Sequence, residues 1–312
     1  MADSCDRLYR RSTARHHPID SSPVEGSIVA QSKNDRTAST TATGVAWTNV
    51  VHQLLHSPPR ILDDPVIAHL MEATSETFSG LEPQLQTPRA RALRSHVVTR
   101  ARFAEDRLAL AVAVGVRQYV VLGAGMDTFA YRQPDWVRAI RLFEVDQPAT
   151  QGVKRDRLDR ARIVAPANVA YIAIDFEAES LADGLRRGGV RLDEPAFFSW
   201  LGVTMYLTRP AIDAVLRTVA AVSTGSEIVF TFAQPPSAEE VREGPTLADV
   251  AAALGEPWIT YFELEALERA LRAFGFSRIE FLTPDETRAR YFQHRADDLP
   301  SPRRTSIVSA SR

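Results

Sequence analysis

Helical spacing of apolar residues dominates the chain before residue 115 and begins near Thr41. The first predicted helix ends at Ser57-Pro58-Pro59, because proline lacks the amide hydrogen that would continue the helix. Two further helices are predicted over residues 65–76 and 89–114. Together these segments predict an N-terminal helical cap over residues 38–114.

Short apolar runs replace the helical spacing after residue 117 and predict buried strands. Polar or helical stretches separate the runs, and a helix over residues 209–222 follows the fourth run. Such alternation is typical of an α/β fold, in which a mainly parallel sheet carries helices on both faces. The five runs cover residues 118–122, 141–145, 169–174, 196–202 and 227–232.

The last part of the chain contains a long connection and a closing pair of strands. Residues 234–260 hold Pro235-Pro236 and Gly255-Glu256-Pro257-Trp258, and they are too many for a simple connection in such a sheet. We therefore predict an insertion over residues 234–262 that acts as a lid. A helix over 263–274 ends at Gly275, after which residues 277–282 and 306–310 are expected to pair as a hairpin.

Composition excludes several classes of protein. The 312 residues include 37 basic and 39 acidic side chains, and this balance argues against a nucleic-acid partner. Residues 1–37 are polar with few aliphatic side chains, which predicts a flexible N-terminal tail. No apolar run is long enough to span a membrane, and the N-terminus lacks the apolar block of a signal peptide, so we expect a cytoplasmic protein.

The cysteine and histidine content predicts no metal site. Cys5 is the single cysteine, which excludes a disulfide framework and any site built from several thiolates. The seven histidines show no metal-ligand spacing with nearby cysteines or carboxylates. We therefore expect chemistry that depends on an organic cofactor or on side chains alone.

A glycine-rich turn follows the first predicted strand. The run Leu122-Gly-Ala-Gly-Met-Asp-Thr128 allows a tight turn and a close approach of a ligand to the backbone. A dinucleotide site would require glycine or alanine at Thr128, where a helix packs under the pyrophosphate. Asp127 would also place a negative charge where phosphates bind. The turn therefore favours a ligand without phosphates.

Acidic residues follow the next two strands. Asp146 stands 21 positions after Gly125, where a carboxylate can hold the two hydroxyls of a ribose, and Glu144 is predicted to share its face of the strand. Either acid could instead cap the following helix. Asp175-Phe176 ends the third strand and could bind the amino edge and the flat face of an adenine, or simply form a strand-to-helix turn. Together the strand ends predict a nucleoside pocket without a pyrophosphate site, which S-adenosylmethionine fits.

Several motifs, in order and spacing, resemble those of class I methyltransferases of the leucine carboxyl methyltransferase type. The likeness is greatest to the bacterial branch of S-adenosylmethionine-dependent O-methyltransferases, and it extends from about Thr41 to the end of the chain. The matching stretches are Thr99-Arg-Ala-Arg-Phe103, Leu122-Gly-Ala-Gly-Met-Asp-Thr128, Phe143-Glu-Val-Asp-Gln-Pro148, Asp175-Phe176, Phe198-Ser-Trp-Leu-Gly-Val-Thr-Met-Tyr-Leu207 and Arg290-Tyr-Phe-Gln-His-Arg-Ala-Asp297.

The resemblance implies a Rossmann-like single domain over residues 38–312, with a seventh strand inserted antiparallel between the fifth and sixth. It implies that S-adenosylmethionine is the cofactor, that Asp146 binds its ribose and that Asp175 with Phe176 binds its adenine. An arginine before the first strand holds the cofactor carboxylate in this family, and either Arg100 or Arg102 matches that position. The predicted cofactor-binding set is Arg100, Arg102, Gly123, Ala124, Gly125, Asp127, Glu144, Val145, Asp146, Asp175, Phe176 and Leu201.

Two departures from the family pattern bear on the acceptor. Leu201 stands where the eukaryotic carboxyl methyltransferases have a glutamate, which argues against assuming a protein C-terminus as substrate. Ser39-Thr40-Thr41-Ala42 gives no clear match to the early cofactor-binding lysine of those enzymes. We expect a small-molecule, secondary-metabolite-like acceptor, with methyl transfer to a carboxylate or hydroxyl oxygen.

Methyl transfer from a sulfonium requires mainly that the acceptor be aligned and that water be excluded. Tyr206, Tyr291 and His294 are the candidates for positioning the acceptor, although Tyr206 could be a core aromatic residue and His294 a surface histidine. Two alternative functions stay open. One is a nicotinamide-dependent oxidoreductase, which Asp127 and Thr128 disfavour, and the other is a non-catalytic cofactor-binding or scaffold protein.

Overall fold

Seven strands form one sheet in the computed structural model, which describes residues 38–74, 76–242, 244–293, 295, 297 and 299–312. The predicted tail over residues 1–37 lies outside the described residues. The strands are β1 (Gln118–Leu122), β2 (Arg141–Asp146), β3 (Val169–Ala173), β4 (Phe197–Trp200), β5 (Glu227–Thr231), β6 (Arg278–Phe281) and β7 (Ile307–Ser311).

The sheet has the order β3-β2-β1-β4-β5-β7-β6. Strands β1 to β5 pair in parallel, whereas β7 runs antiparallel to both β5 and β6. This arrangement confirms the predicted α/β fold, the closing hairpin and the insertion of the seventh strand between the fifth and sixth. The strand order reverses at β1 and β4, and the carboxyl ends of parallel strands bind ligands at such a switch point.

The central strands are buried on both faces, which explains why they appear in the sequence as continuous apolar runs. Every residue of β1, β4 and β5 is buried. One apolar core on one face of the sheet includes Leu185, Leu216 and Leu271, and a second core includes Phe103 and Leu108. Helices therefore cover both faces, as expected for a parallel sheet.

Helices occupy the N-terminal segment, the connections between strands and the insertion. Two of them, α4 and α11, begin with a threonine cap followed by proline, at Thr87-Pro88 and Thr283-Pro284. The helices are α1 (Thr40–Leu55), α2 (Pro65–Leu70), α3 (Glu82–Leu85), α4 (Pro88–Ala113), α5 (Pro148–Arg160), α6 (Leu181–Arg187), α7 (Arg209–Ala220), α8 (Ala238–Arg242), α9 (Leu247–Ala253), α10 (Leu264–Phe274) and α11 (Pro284–Thr287).

The second helix is shorter than predicted. The sequence pattern extended it to residue 76, but α2 ends at Leu70, and Glu72 has a φ of 54°. A left-handed residue cannot continue a right-handed helix. The apolar residues beyond α2 therefore belong to turns.

The N-terminal helices lie beside the glycine-rich turn that follows β1. Val50 of α1 and Leu70 of α2 share a buried cluster with Met126 of that turn and Leu158 of α5. This packing places α1 and α2 at the carboxyl edge of the sheet, which is where the predicted nucleoside pocket should lie. In the part of the chain that the structure describes, no helix is long and apolar enough to cross a membrane.

Candidate active site

A cavity of about 670 Å³ opens at the carboxyl ends of the central strands. One half is lined by residues that follow the strands: Gly123 after β1, Asp146 at the end of β2, Phe176 beyond β3 and Leu201 after β4. The other half is lined by the N-terminal helices and by residues 254–257 and 259 of the insertion. The volume is within the usual range for small-molecule sites.

Gly123 and Gly125 shape the floor of the cavity. Gly123 has a φ of 67°, and a Cβ atom at this position would lie 2.4 Å from Cγ2 of Val203. Gly125 has a φ of 49°, and its added Cβ would lie 3.2 Å from Cβ of Ala42. Only glycine meets both the left-handed backbone and the limited space, so the turn can pack tightly and still expose its backbone.

The amides of this turn are already hydrogen-bonded within the protein. Gly123 N and Ala124 N both donate to the carbonyl of Val145, at 2.8 and 3.0 Å. Gly125 N donates to the Asp146 carboxylate at 2.5 Å. A dinucleotide site uses free amides at this turn to hold a pyrophosphate. The amides of Gly123, Ala124 and Gly125 are therefore not free to bind a pyrophosphate.

Asp146 lies at the cavity wall with both carboxylate oxygens held by amides. Oδ2 accepts from Gly125 N and Oδ1 accepts from Gln147 N at 2.7 Å. Burial raises the pKa of Asp146, and these two amides oppose the shift because they stabilise the charged form. Each oxygen keeps a further lone pair, so the carboxylate can accept two more hydrogen bonds from a ligand.

The other two residues predicted on this strand do not line the cavity. The carboxylate of Glu144 is buried, 2.8 Å from Lys154 Nζ, and it accepts a hydrogen bond from the Tyr131 hydroxyl. Val145 is fully buried and contributes its carbonyl to the glycine turn. Glu144 is engaged inside the protein because α5, which carries Lys154, packs beside this part of the strand.

Of the two residues predicted at the end of the third strand, only Phe176 lines the cavity. Phe176 is 8% exposed, lines the cavity and contacts Trp200 edge-to-face with ring centroids 6.1 Å apart. Asp175 is not among the lining residues, and its carboxylate accepts from the amide of Glu177 at 3.0 Å. Asp175 thus caps the turn after β3, and its contact with an adenine stays a prediction.

The two candidate arginines lie in different surroundings. Arg100 is 9% exposed and lines the cavity, with its guanidinium against Gly202. Burial lowers the pKa of Arg100 to about 10, so the side chain remains a cation at neutral pH. Arg102 is 46% exposed and paired with Asp106 at 2.8 Å, and it is not among the residues that line the cavity.

Gly202 provides the space for the Arg100 guanidinium. It has a φ of 77°, and an added Cβ would lie 2.8 Å from both terminal nitrogens of Arg100. Within the described residues, no hydrogen bond or ion pair joins Arg100 to another side chain. A buried guanidinium without a side-chain partner is suited to binding a planar anion from a ligand.

The three residues predicted to position the acceptor differ in whether they line the cavity. Tyr206 lines the cavity, and its oxygen accepts a hydrogen bond of 3.0 Å from Trp258 Nε1. Tyr291 does not line the cavity, and it donates to Asp106 at 2.8 Å. Burial, together with the Asp106 carboxylate, raises the pKa of Tyr291. His294 lies outside the described residues.

A contact between α1 and the insertion, at the edge of the cavity, was not predicted from the sequence. Glu256 accepts from Thr40 N at 2.6 Å, Thr41 N at 3.1 Å and Ser39 Oγ at 3.2 Å. The Glu256 carboxylate therefore places a negative charge beside amides at the N-terminus of α1 that have no acceptor within the helix. Ser39 is recognisable from sequence as a helix cap, but no local signal pairs it with a glutamate 217 positions away.

The comparisons with known proteins agree with this geometry. A model of the leucine carboxyl methyltransferase family matches residues 42–220. A Bacillus subtilis protein named "Putative S-adenosyl-L-methionine-dependent methyltransferase YktD" is 33% identical over 209 residues, 65% of this chain and 67% of the relative. A Frankia alni protein named "Putative S-adenosyl-L-methionine-dependent methyltransferase FRAAL3836" is 31% identical over 242 residues, 75% of this chain and 85% of the relative. The chain belongs to the leucine carboxyl methyltransferase family.

This family membership makes the protein an S-adenosylmethionine-dependent methyltransferase, which confirms the predicted class of enzyme and its cofactor. It decides against the nicotinamide-dependent oxidoreductase. The fold is shared with a DUF574 family protein from Streptomyces avermitilis, with a TM-score of 0.57 and 15% identity over 90% of this chain and 100% of that one. A "putative methyltransferase" from Thermobifida fusca gives a TM-score of 0.51 and 18% identity over 78% and 92% of the two chains.

The contact between Glu256 and α1 in this methyltransferase leads to a first testable prediction. Glu256→Ala should lower the free energy of unfolding by roughly 1–2 kcal/mol, because the capping amides of α1 lose a charged acceptor. Hydrogen exchange should also accelerate at Thr40 and Thr41, which a thermal melt alone does not report. The exposed Glu76 is the matched control, and equal exchange rates in Glu256→Ala and Glu76→Ala would contradict the prediction.

Proposed function

We propose that this methyltransferase transfers a methyl group to an oxygen atom of a small-molecule acceptor. The observation that carries the proposal is a single cavity that is lined both by residues after the strands and by residues of the N-terminal helices and the insertion. The half at the strand ends offers the groups that a nucleoside and an amino acid require. The half between the helices and the insertion offers space for a second small molecule beside it.

Asp146 is proposed to bind the ribose of the cofactor. Its two oxygens already accept one amide each, which fixes the orientation of the carboxylate. The remaining lone pairs then point away from the backbone and can accept hydrogen bonds from the two vicinal hydroxyls of the ribose. Gly123, Ala124 and Gly125 would contact the cofactor through their backbone, because the two glycines have no side chain and Ala124 has only a methyl group.

Arg100 is proposed to bind the carboxylate of the cofactor. The guanidinium is buried at the cavity wall, remains charged at neutral pH and has a fork of donors that matches a carboxylate. Phe176 is proposed to contact the adenine through its ring. Asp127 and Leu201 also line the cavity, and Asp127 places a negative charge that is compatible with the cationic sulfonium.

S-adenosylmethionine, when bound, supplies a methyl group on a positively charged sulfur that is already an activated leaving group. The protein must therefore align the acceptor oxygen and exclude water. Tyr206 is proposed to help align it, because its oxygen accepts from Trp258 and its own hydrogen remains available to a ligand oxygen. The insertion contributes Gly255, Glu256 and Pro257 to the lining of the cavity.

A screen with methyl-labelled S-adenosylmethionine tests the proposal. The purified full chain is incubated with fractionated metabolite extracts, and labelled products are identified by mass spectrometry. Release of labelled methanol in mild base would identify a methyl ester and hence a carboxylate acceptor, whereas a stable ether would identify a hydroxyl acceptor.

Two other outcomes of the screen would contradict the proposal. Label on nitrogen or sulfur would contradict O-methylation. Binding of S-adenosylhomocysteine without any labelled product would favour the alternative of a cofactor-binding protein without catalysis. The buffer-only reaction and the protein denatured by heat provide the controls for spontaneous methylation.

A further inference from the structure

We propose that the acceptor is an amphiphile whose apolar part extends from the cavity onto a rim formed by Leu254 and Ile259. This inference rests on the proposed function, because it names the kind of molecule that the second half of the cavity takes. It is carried by three observations: the apolar wall of that half, the internal bonding of its polar groups and the exposure of its rim.

The wall of the second half is apolar. Val45 and Ala46 of α1, Leu62 and Ile67 around the start of α2, and Val97 of α4 all line it. Ile67 is 2% exposed and Leu62 is 3% exposed, so these side chains are held in place by the packing of the helical cap. Because most of this wall is already buried, the apolar surface that a ligand can remove from water lies mainly at the exposed rim.

Several polar groups in the same half are bonded to one another. Asp64 accepts hydrogen bonds from Asn49 Nδ2 at 2.8 Å and from Thr128 Oγ1 at 2.5 Å. It also caps α2 through the amides of Val66 and Ile67. Arg132 forms an ion pair with Glu105. These bonds hold Asp64 and Arg132 in place. Thr41 Oγ1, which is buried and lines the same half, has no hydrogen-bond partner within the described residues and can contact the polar end of the ligand.

The rim is apolar as well as exposed. Leu254 and Ile259 both line the cavity, yet they are 52% and 53% exposed. The rim is attached to the body of the protein, because Ile259 N donates to the carbonyl of Met205 at 2.8 Å. Large apolar side chains at the mouth of a cavity mark a ligand-binding groove.

The rim is continued away from the cavity by two more exposed side chains. Val250 lies four residues before Leu254 at the end of α9, and Tyr261 lies two residues after Ile259. Residues four apart on a helix share one face, so Val250 and Leu254 lie on the same side at the end of α9. The exposed apolar surface therefore extends from the rim along this side of α9, which favours one elongated ligand over a separate partner.

The experiment measures the binding of a series of 4-n-alkylphenols, from ethyl to heptyl, to the full chain saturated with S-adenosylhomocysteine. Isothermal titration calorimetry gives the affinity for each member. We expect the affinity to rise about two- to fourfold with each added methylene, as for apolar surface that is buried on binding. An affinity that does not change with chain length would overturn the inference.

Variants of the rim locate the binding site of the alkyl chain. Leu254→Ser and Ile259→Ser should each weaken the binding of heptylphenol by about three- to tenfold, by removing apolar contact area, and leave ethylphenol unchanged. Leu110→Ser is the matched control, because Leu110 is 60% exposed on α4 and is not among the residues that line the cavity. Equal losses in all three variants would overturn the inference.

Two further readouts separate this inference from its alternatives. Light scattering on the parent chain and on Leu254→Ser gives the oligomeric state, and a dimer that dissociates in the variant would show that a second copy covers the rim. That result would overturn the inference. Failure of S-adenosylhomocysteine to bind the parent chain would instead refute the proposed function, so the two failures are distinguishable.

Discussion

Replacing Arg100 by alanine is expected to weaken the binding of S-adenosylhomocysteine by at least about 30-fold, which corresponds to roughly 2 kcal/mol or more for truncating a buried charged partner. The guanidinium is buried beside Gly202 and has no ion pair in the described part of the chain. A cofactor carboxylate would therefore lose its charged partner in the variant. Isothermal titration calorimetry with the purified variant measures the effect.

The neighbouring Arg102 is the matched control for this prediction. It is about half exposed and paired with Asp106, so Arg102→Ala should change the dissociation constant by less than about twofold. Arg100→Lys should bind with intermediate affinity, because lysine keeps the charge and loses the planar fork. A larger loss in Arg102→Ala than in Arg100→Ala would mean that the structure places the wrong arginine at the cofactor.

Replacing Asp146 by alanine is expected to weaken the binding of S-adenosylhomocysteine by about 100-fold or more, since two hydrogen bonds to a charged group are lost. The same change removes the acceptor of Gly125 N and so loosens the turn after β1. Asp146→Asn keeps one carboxamide oxygen as an acceptor. Its affinity for S-adenosylhomocysteine should lie between those of the parent and Asp146→Ala. Calorimetry measures affinity, and a thermal melt reports how much of the loss is structural.

An exposed carboxylate provides the reference for Asp146. Asp135 is 92% exposed, and Asp135→Ala should leave both the affinity and the melting temperature unchanged. If Asp146→Ala bound S-adenosylhomocysteine as tightly as Asp135→Ala does, the proposed role of Asp146 at the ribose would be refuted. A lowered melting temperature with unchanged affinity would assign Asp146 to the glycine turn alone.

The strands and the glycine turn could be predicted because their signals are local. A buried parallel strand requires a continuous apolar run, and Gln118–Leu122 has one. Gly123 and Gly125 follow at once, with backbone angles that favour glycine. The hairpin of β6 and β7 was also predicted, although its two strands are separated by more than twenty residues, since each has its own apolar pattern.

The end of α2 and the contact of Glu256 with α1 could not be predicted from local patterns. Helical spacing continues past Leu70, but the left-handed Glu72 ends the helix, and this backbone angle has no clear sequence signature. Glu256 reaches Thr40 across 216 positions, a pairing that depends on how the insertion folds back. Long-range contacts of this kind are decided by packing of whole elements.

The sequence by itself determined the fold class, the phosphate-free turn and the type of cofactor, because each depends on residues close together in the chain. Only the tertiary structure decided which of the predicted residues reach the cavity. Arg100 and Arg102 are two positions apart on α4, about 200° around a helix of 3.6 residues per turn, and only Arg100 lines the cavity. Glu144 and Asp146 share a strand, yet Lys154 on the neighbouring helix holds the first inside the protein. The direction that a side chain faces depends on what packs beside its element, and that information lies elsewhere in the chain.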